Sequence, residues 1–228
     1  SSDGKTSILA RLSAPLCRAV TDREDSQAIL EQIESANMFL IPLDGERRWY
    51  RYHPLFGDLL QYRLHQAQPE LIPILHGLAG AWYEQNGPLA EAIGHTLEAG
   101  DPAWAAHLVE QAAEATMLRS EFATLLRWVE SLPEDLLRTR PRLCVYQALA
   151  LVFNGQPLDL AQSCLQRAVE VDADGAVAVD AARLSGGTAA TAHPVRAGLP
   201  SHADVAATAA VGRVAVEIHA CPGAQRFS

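Results

Sequence analysis

The 228 residues carry 18 Lys+Arg against 27 Asp+Glu, a formal net charge of -9, with 49% apolar content. That balance describes a globular chain with enough apolar surface for a core, and it argues against a DNA-binding face, since nucleic-acid affinity rests on Lys and Arg neutralising phosphates. No run approaches a membrane span or a signal peptide, so no membrane contact is expected and the cytoplasm is the expected compartment.

In chain order, residues 6–12, 15–20 and 24–36 each place apolar residues at helical spacing, as Ile29, Leu30 and Ile33 do in the last, with Ser13 and Asp22 available as N-caps. The apolar run 38–43 and the alternating run 47–52 then flank Asp44-Gly45, which predicts a small β-hairpin closed by a tight turn. Arg47, Trp49 and Arg51 fall on one face of the second strand and Arg48, Tyr50 and Tyr52 on the other. From His53 a helix is expected, with Pro54 in its first turn and the pairs Leu55/Leu59, Phe56/Leu60 and Leu60/Leu64 on its apolar face. Three helices, a hairpin and a closing helix make a winged-helix-like domain over residues 1–66. A unit of about this size is small for an independent core and should lean on a neighbour.

His53 stands where the aromatic strand ends and the helix begins. An imidazole there can donate to a phosphate oxygen, and a helix start adds amide donors and a favourable dipole. The plain alternative is a histidine that caps or packs at the junction. Two other features resolve more simply. Gly4-Lys5-Thr6 imitates the end of a Walker A loop but lacks the first glycine and the preceding strand. The hairpin arginines Arg47, Arg48 and Arg51 could form a basic wing on DNA, yet beside Tyr and Trp in an acidic chain they read as a solvated face with cation–π packing.

Residues 67–172 read as TPR-like helical repeats. Leu71, Ile72, Leu75, Leu78, Ala79, Trp82 and Tyr83 form one stripe, stopped by Asn86-Gly87, and Leu89, Ala92, Ile93 and Thr96 form the next. Further helices are expected at 102–119, 121–132, 133–138, 142–154 and 158–171. Asn86-Gly87-Pro88-Leu89 is echoed by Asn154-Gly155-Gln156-Pro157-Leu158, about two tetratricopeptide periods later. Trp82, Tyr83, Trp104 and Trp128 are expected to pack between helices. Stacked helix pairs share a core and leave a surface for a ligand or protein.

Residues 173–228 change character, being rich in Ala, Gly and Val with no sustained period. They are read as a low-complexity tail, disordered or non-native, so residues 1–172 alone should melt at the temperature of the whole chain; a clear loss of stability on truncation would mean that the tail docks. Cys17, Cys144, Cys164 and Cys221 lack metal-binding spacing and are expected as reduced thiols. The eight histidines show no metal motif, His95 and His107 being placed on repeat helices in surface or packing roles. No nucleophile elbow or carboxylate pair points to catalysis, so no enzyme, catalytic residue or metal is expected.

The segments 6–12, 15–21, 37–44 and 50–56, followed by Ala81-Trp82-Tyr83-Glu84-Gln85-Asn86-Gly87, Glu91-Ala92-Ile93-Gly94-His95, Leu126-Arg127-Trp128 and Arg140-Pro141-Arg142-Leu143, resemble the large ATP-binding LuxR-type (MalT-like) transcriptional regulators. The resemblance spans residues 5–172 and stops where the tail begins. It implies a mainly α architecture: a winged helix with a small hairpin, then TPR-like repeats, taken from between a nucleotide-binding domain and a DNA-binding domain that this chain does not show. It further implies that His53, in His53-Pro54-Leu55, touches the β-phosphate of ADP in the resting state. On that basis this fragment holds no cofactor by itself, and ATP or ADP belongs to the full-length parent. The expected partners are the parent's nucleotide-binding domain and a small-molecule inducer or regulatory protein on the helical repeats, with self-association of the parent and no nucleic-acid contact by this fragment. The competing class is a freestanding TPR-like adaptor without nucleotide switching.

Overall fold

A computed structural model describes residues 4–36 and 39–171; the tail at 173–228 and Cys221 lie outside the described residues. The chain divides into two compact units, one ending at Leu108 and one starting at Val109, and the division falls within a helix.

The first unit opens with a 3-10 turn, Lys5–Ile8, where a helix over 6–12 is expected. The helix fails because Leu12 is claimed from afar: its N–H and C=O each pair with Tyr50 at 2.8 Å, adding a third, one-residue rung to the hairpin. Ser13 then caps α1 (Ala14–Thr21), its Oγ accepting the Leu16 N–H at 3.4 Å, and Leu16, Cys17 and Val20 turn inward. Asp22 does not cap the next helix. It ends α1 in the left-handed region with φ 57°, a conformation that Asp tolerates better than most residues, and α2 (Ser26–Ser35) starts after Asp25.

Strands β1 (Leu40–Pro42) and β2 (Tyr50–Tyr52) pair antiparallel with Leu40 opposite Tyr52 and Pro42 opposite Tyr50. The connection is not a tight turn at Asp44-Gly45. It runs through residues 43–49, because the Asp44 carboxylate accepts the N–H groups of Arg48 and Trp49 at 2.9 and 3.2 Å while Arg47 adopts φ 55°. Alternation survives where it matters: Tyr50 is 0% exposed and Arg51 faces out.

Helix α3 (Pro54–Ala67) buries Leu60 and Leu64 and half-buries Phe56. Leu55 and Leu59, expected on the same apolar face, are 76% and 45% exposed. The stripe is wider than the surface available to cover it. Next, α4 (Leu71–Asn86) buries Leu75, Ala79 and Tyr83 and pairs with α5 (Leu89–Glu98), which contributes Ala92, Ile93 and Thr96. The stop after Asn86 works through space rather than a left-handed backbone: Gly87 is extended, and a Cβ there would lie 2.5 Å from Tyr83 Cδ1. The winged helix does lean on this pair. Its 3-10 turn and α1 pack on α4, and Arg11 lies 4.8 Å over the Trp49 ring, which meets Trp82 edge-on at 6.4 Å.

The division falls in α6 (Pro102–Leu118). The second unit continues with α7 (Phe122–Glu130), α8 (Glu134–Arg138), α9 (Pro141–Phe153) and α10 (Leu158–Val171). Buried on most sides, α9 packs on α7, α8 and α10. Arg140 reaches back to Glu110 at 3.0 Å. The sequence echo becomes structural here: Asn154-Gly155 closes α9 before α10 as Asn86-Gly87 closes α4 before α5, although Gly155 takes φ +73° where Gly87 is extended. Trp82, Trp104 and Trp128 are all half-buried. The described chain is thus mainly helical, a winged helix with a small hairpin followed by helix pairs.

Candidate functional site

His53 is held by its backbone on both sides. Its N–H donates to the Phe39 carbonyl at 2.6 Å, and its own carbonyl accepts the N–H groups of Phe56 and Gly57 at 2.9 Å each, which starts α3. Pro54 suits the first turn because its fixed φ is already helical, but it contributes no donor. The amides that a helix start would offer an anion are thereby reduced, and a phosphate at this point would depend on the imidazole.

The ring lies in an aromatic cluster. Phe39 meets it edge-on at 6.3 Å and stacks on Phe56 at 5.2 Å, while Tyr52 meets Phe56 edge-on at 5.8 Å. Phe39 takes φ 58°, a left-handed conformation costly for a large side chain, and is 58% exposed. The His53 Nδ1 atom is buried without a hydrogen-bond partner. Buried polar atoms are nearly always satisfied, so this nitrogen is either an acceptor left over or a group awaiting a partner.

The hairpin arginines are mostly engaged. Arg47 pairs with Glu34 at 3.2 Å and Arg48 with Glu46, and the Tyr50 hydroxyl also donates to Glu34 at 3.3 Å. The cation over an aromatic ring is Arg11 rather than any of the three arginines of the wing. At the start of the chain, the Thr6 hydroxyl shares a 2.8 Å hydrogen bond with the Tyr52 hydroxyl, and Gly4 opens the 3-10 turn. That is linker geometry, not a phosphate loop.

A histidine pair was not foreseen. His76 on α4 and His95 on α5 bring their Nδ1 atoms to 3.0 Å, so one must carry a proton and the other a lone pair. His95 is 9% exposed and stacks on Tyr83 at 5.5 Å. Burial first, then the neighbouring His76, lowers the His95 pKa to about 4; burial also lowers that of His76, which feels Glu98 in the opposite sense and His65 in the same sense. Nineteen residues separate the two in sequence, and no spacing rule links them.

Cys17, Cys144 and Cys164 are free and buried, as expected of reduced thiols, and burial pushes the Cys17 thiol up to about 12. Among the described residues no group of three or more His, Cys, Asp or Glu could hold a metal ion, and no helix is long and apolar enough to cross a membrane.

Comparison with known proteins places the chain beside two groups. The chain is 35% identical over 151 residues to proteins named serine/threonine-protein kinase PknK from two strains of Mycobacterium tuberculosis and from Mycobacterium bovis. The match covers 66% of this chain but only 14% of the length of each relative. Residues 4–72 match the family model of the MalT winged helix domain, which encloses the 3-10 turn, α1, α2, the hairpin and α3, and supports a MalT-like family for this segment.

Proposed function

We propose that this chain is the central relay segment of a bacterial ATP-dependent, LuxR-family, MalT-like transcriptional regulator. In this reading the winged helix reports the state of a neighbouring nucleotide-binding domain, the helix pairs receive an inducer or regulatory protein, and DNA is read by a domain outside this chain. The observation that carries it is the MalT winged helix match over residues 4–72, with His53 at the start of α3 and its Nδ1 buried without a partner. ADP bridging the nucleotide domain and His53 would favour a closed form, and ATP with inducer would release the parent for self-association and promoter binding. No catalytic role and no metal are proposed for this segment.

His53→Ala in the full-length parent should raise inducer-independent transcription. Loss of one hydrogen bond to a charged group, about 1.5 kcal/mol, should also speed ADP loss roughly tenfold. Unchanged basal transcription together with unchanged ADP retention would mean that His53 only packs.

The kinase-named relatives favour a second reading, in which the same segment serves as a regulatory part of a protein kinase. Flanking coding sequence separates the two. A Walker A motif upstream with a helix-turn-helix downstream supports the regulator, whereas a kinase domain in the same chain supports the second reading.

A further inference from the structure

The winged helix contains a cavity of roughly 410 Å³, walled by α1, α2, β2 and α3. That volume lies within the range of small-molecule sites, about 300 to 1,000 Å³. Its walls are mostly apolar: Ile29 and Ile33 from α2, Phe56 and Leu59 from α3 and Cys17 from α1 all line it. Cys17 is 5% exposed, and burial pushes its thiol up to about 12, so it presents an uncharged, weakly polar surface to the cavity. Leu59, left 45% exposed by the packing of α3, is accounted for as part of this wall.

The polar part of the lining has one sign. Arg23 and Arg63 both line the cavity, and no acidic side chain does. Arg23 is already gripped by the Asp25 carboxylate through two hydrogen bonds of 2.9 and 2.7 Å. Arg63 is exposed and has no ion pair among the described residues. An apolar slot with a single uncommitted guanidinium at its edge suits a ligand with an apolar tail and one carboxylate, which Arg can take through two parallel N–H bonds.

We propose that this cavity binds a monoanionic amphiphile of the medium-chain fatty carboxylate class, its tail against Ile29, Ile33 and Phe56 and its carboxylate on Arg63. His53 does not line the cavity, although Phe56 and Tyr52 belong both to its wall and to the aromatic cluster around His53. It also lies outside the helix pairs on which an inducer is expected, and the binding test below needs no nucleotide.

The test is calorimetric titration of the whole chain with octanoate, decanoate and dodecanoate below their micelle concentrations, with dodecanol as the uncharged control. Each added methylene buried should tighten binding about fourfold. Arg63→Gln, at an exposed position, should keep the melting temperature and weaken dodecanoate at least about tenfold, the worth of one charge-assisted pair. Ile33→Trp, which fills the slot, should abolish binding while Arg63 is intact. Absence of saturable binding to about 1 mM dodecanoate would overturn the proposal. So would dodecanol binding as tightly as dodecanoate, or a full-affinity Arg63→Gln variant; either result would mean that the slot reads only the apolar tail.

Discussion

Tyr50→Ala should destabilise the winged helix by about 3 to 5 kcal/mol, enough to unfold it under conditions where the wild type is native. Tyr50 is 0% exposed, the largest fully buried side chain among the described residues, and its backbone holds Leu12 through two hydrogen bonds of 2.8 Å. Removing the ring opens a cavity beneath the backbone bridge that joins the chain before α1 to the hairpin. Tyr50→Phe separates packing from polarity. It keeps the ring and loses only the 3.3 Å hydrogen bond to Glu34, a carboxylate that retains Arg47, so it should cost about 1 kcal/mol. Urea unfolding followed by circular dichroism reads both. A loss below about 1 kcal/mol for Tyr50→Ala would mean that the hairpin is not part of the core.

Acid should weaken the helix pair α4 and α5 well before ordinary acid unfolding. His95 has its pKa lowered from 6.5 to about 4 by burial and by His76. An unfolded histidine therefore takes up a proton near pH 6.5 while the native one refuses it, and unfolding is favoured progressively as pH falls from 6.5 to about 4. Above that window the contribution is constant, and below it the native form is protonated too. Each tenfold in proton affinity is worth about 1.4 kcal/mol, so the loss across the window is at most about 3.5 kcal/mol and should be about 2 to 3 kcal/mol because His76 is half open to solvent and screens the pair. The charges that bear on the pair are Glu98, which opposes the effect at His76, and His65, which adds to it. His95→Gln should flatten the pH dependence of the unfolding free energy between pH 6.5 and 4. An unaltered slope in that variant would place its origin in other groups.

Much of the architecture is written in local pattern. The bounds of α10 coincide with the run 158–171, α4 ends where Asn86-Gly87 says it should, and Ser13 caps α1. The failures share one physical origin. Residues 6–12 carry a helical pattern, but Leu12 is taken by Tyr50, a contact across 38 positions that no window over either segment contains. Leu55 and Leu59 satisfy helical periodicity as well as Leu60 and Leu64 do, yet which stripe is covered depends on where the 3-10 turn lies. Asp44-Gly45 has the composition of a tight turn, and the Asp44 side chain defeats it by capping amides four and five residues ahead. His53 could be picked out because it sits at a junction of two periods. The orphaned nitrogen that makes it interesting is a property of its surroundings and was not legible. The His76–His95 pair was invisible for the same reason.

The bracket formed by Arg11, Trp49 and Trp82 has a mechanical consequence. A wing free at its tip can swing and sample; this one is held against α4 at Trp49, the last residue of the connection before β2. A tilt of β2 would therefore strain the Trp49–Trp82 contact first, which puts the hairpin and α4 in one mechanical unit and leaves less freedom for the hairpin to act as a probing finger.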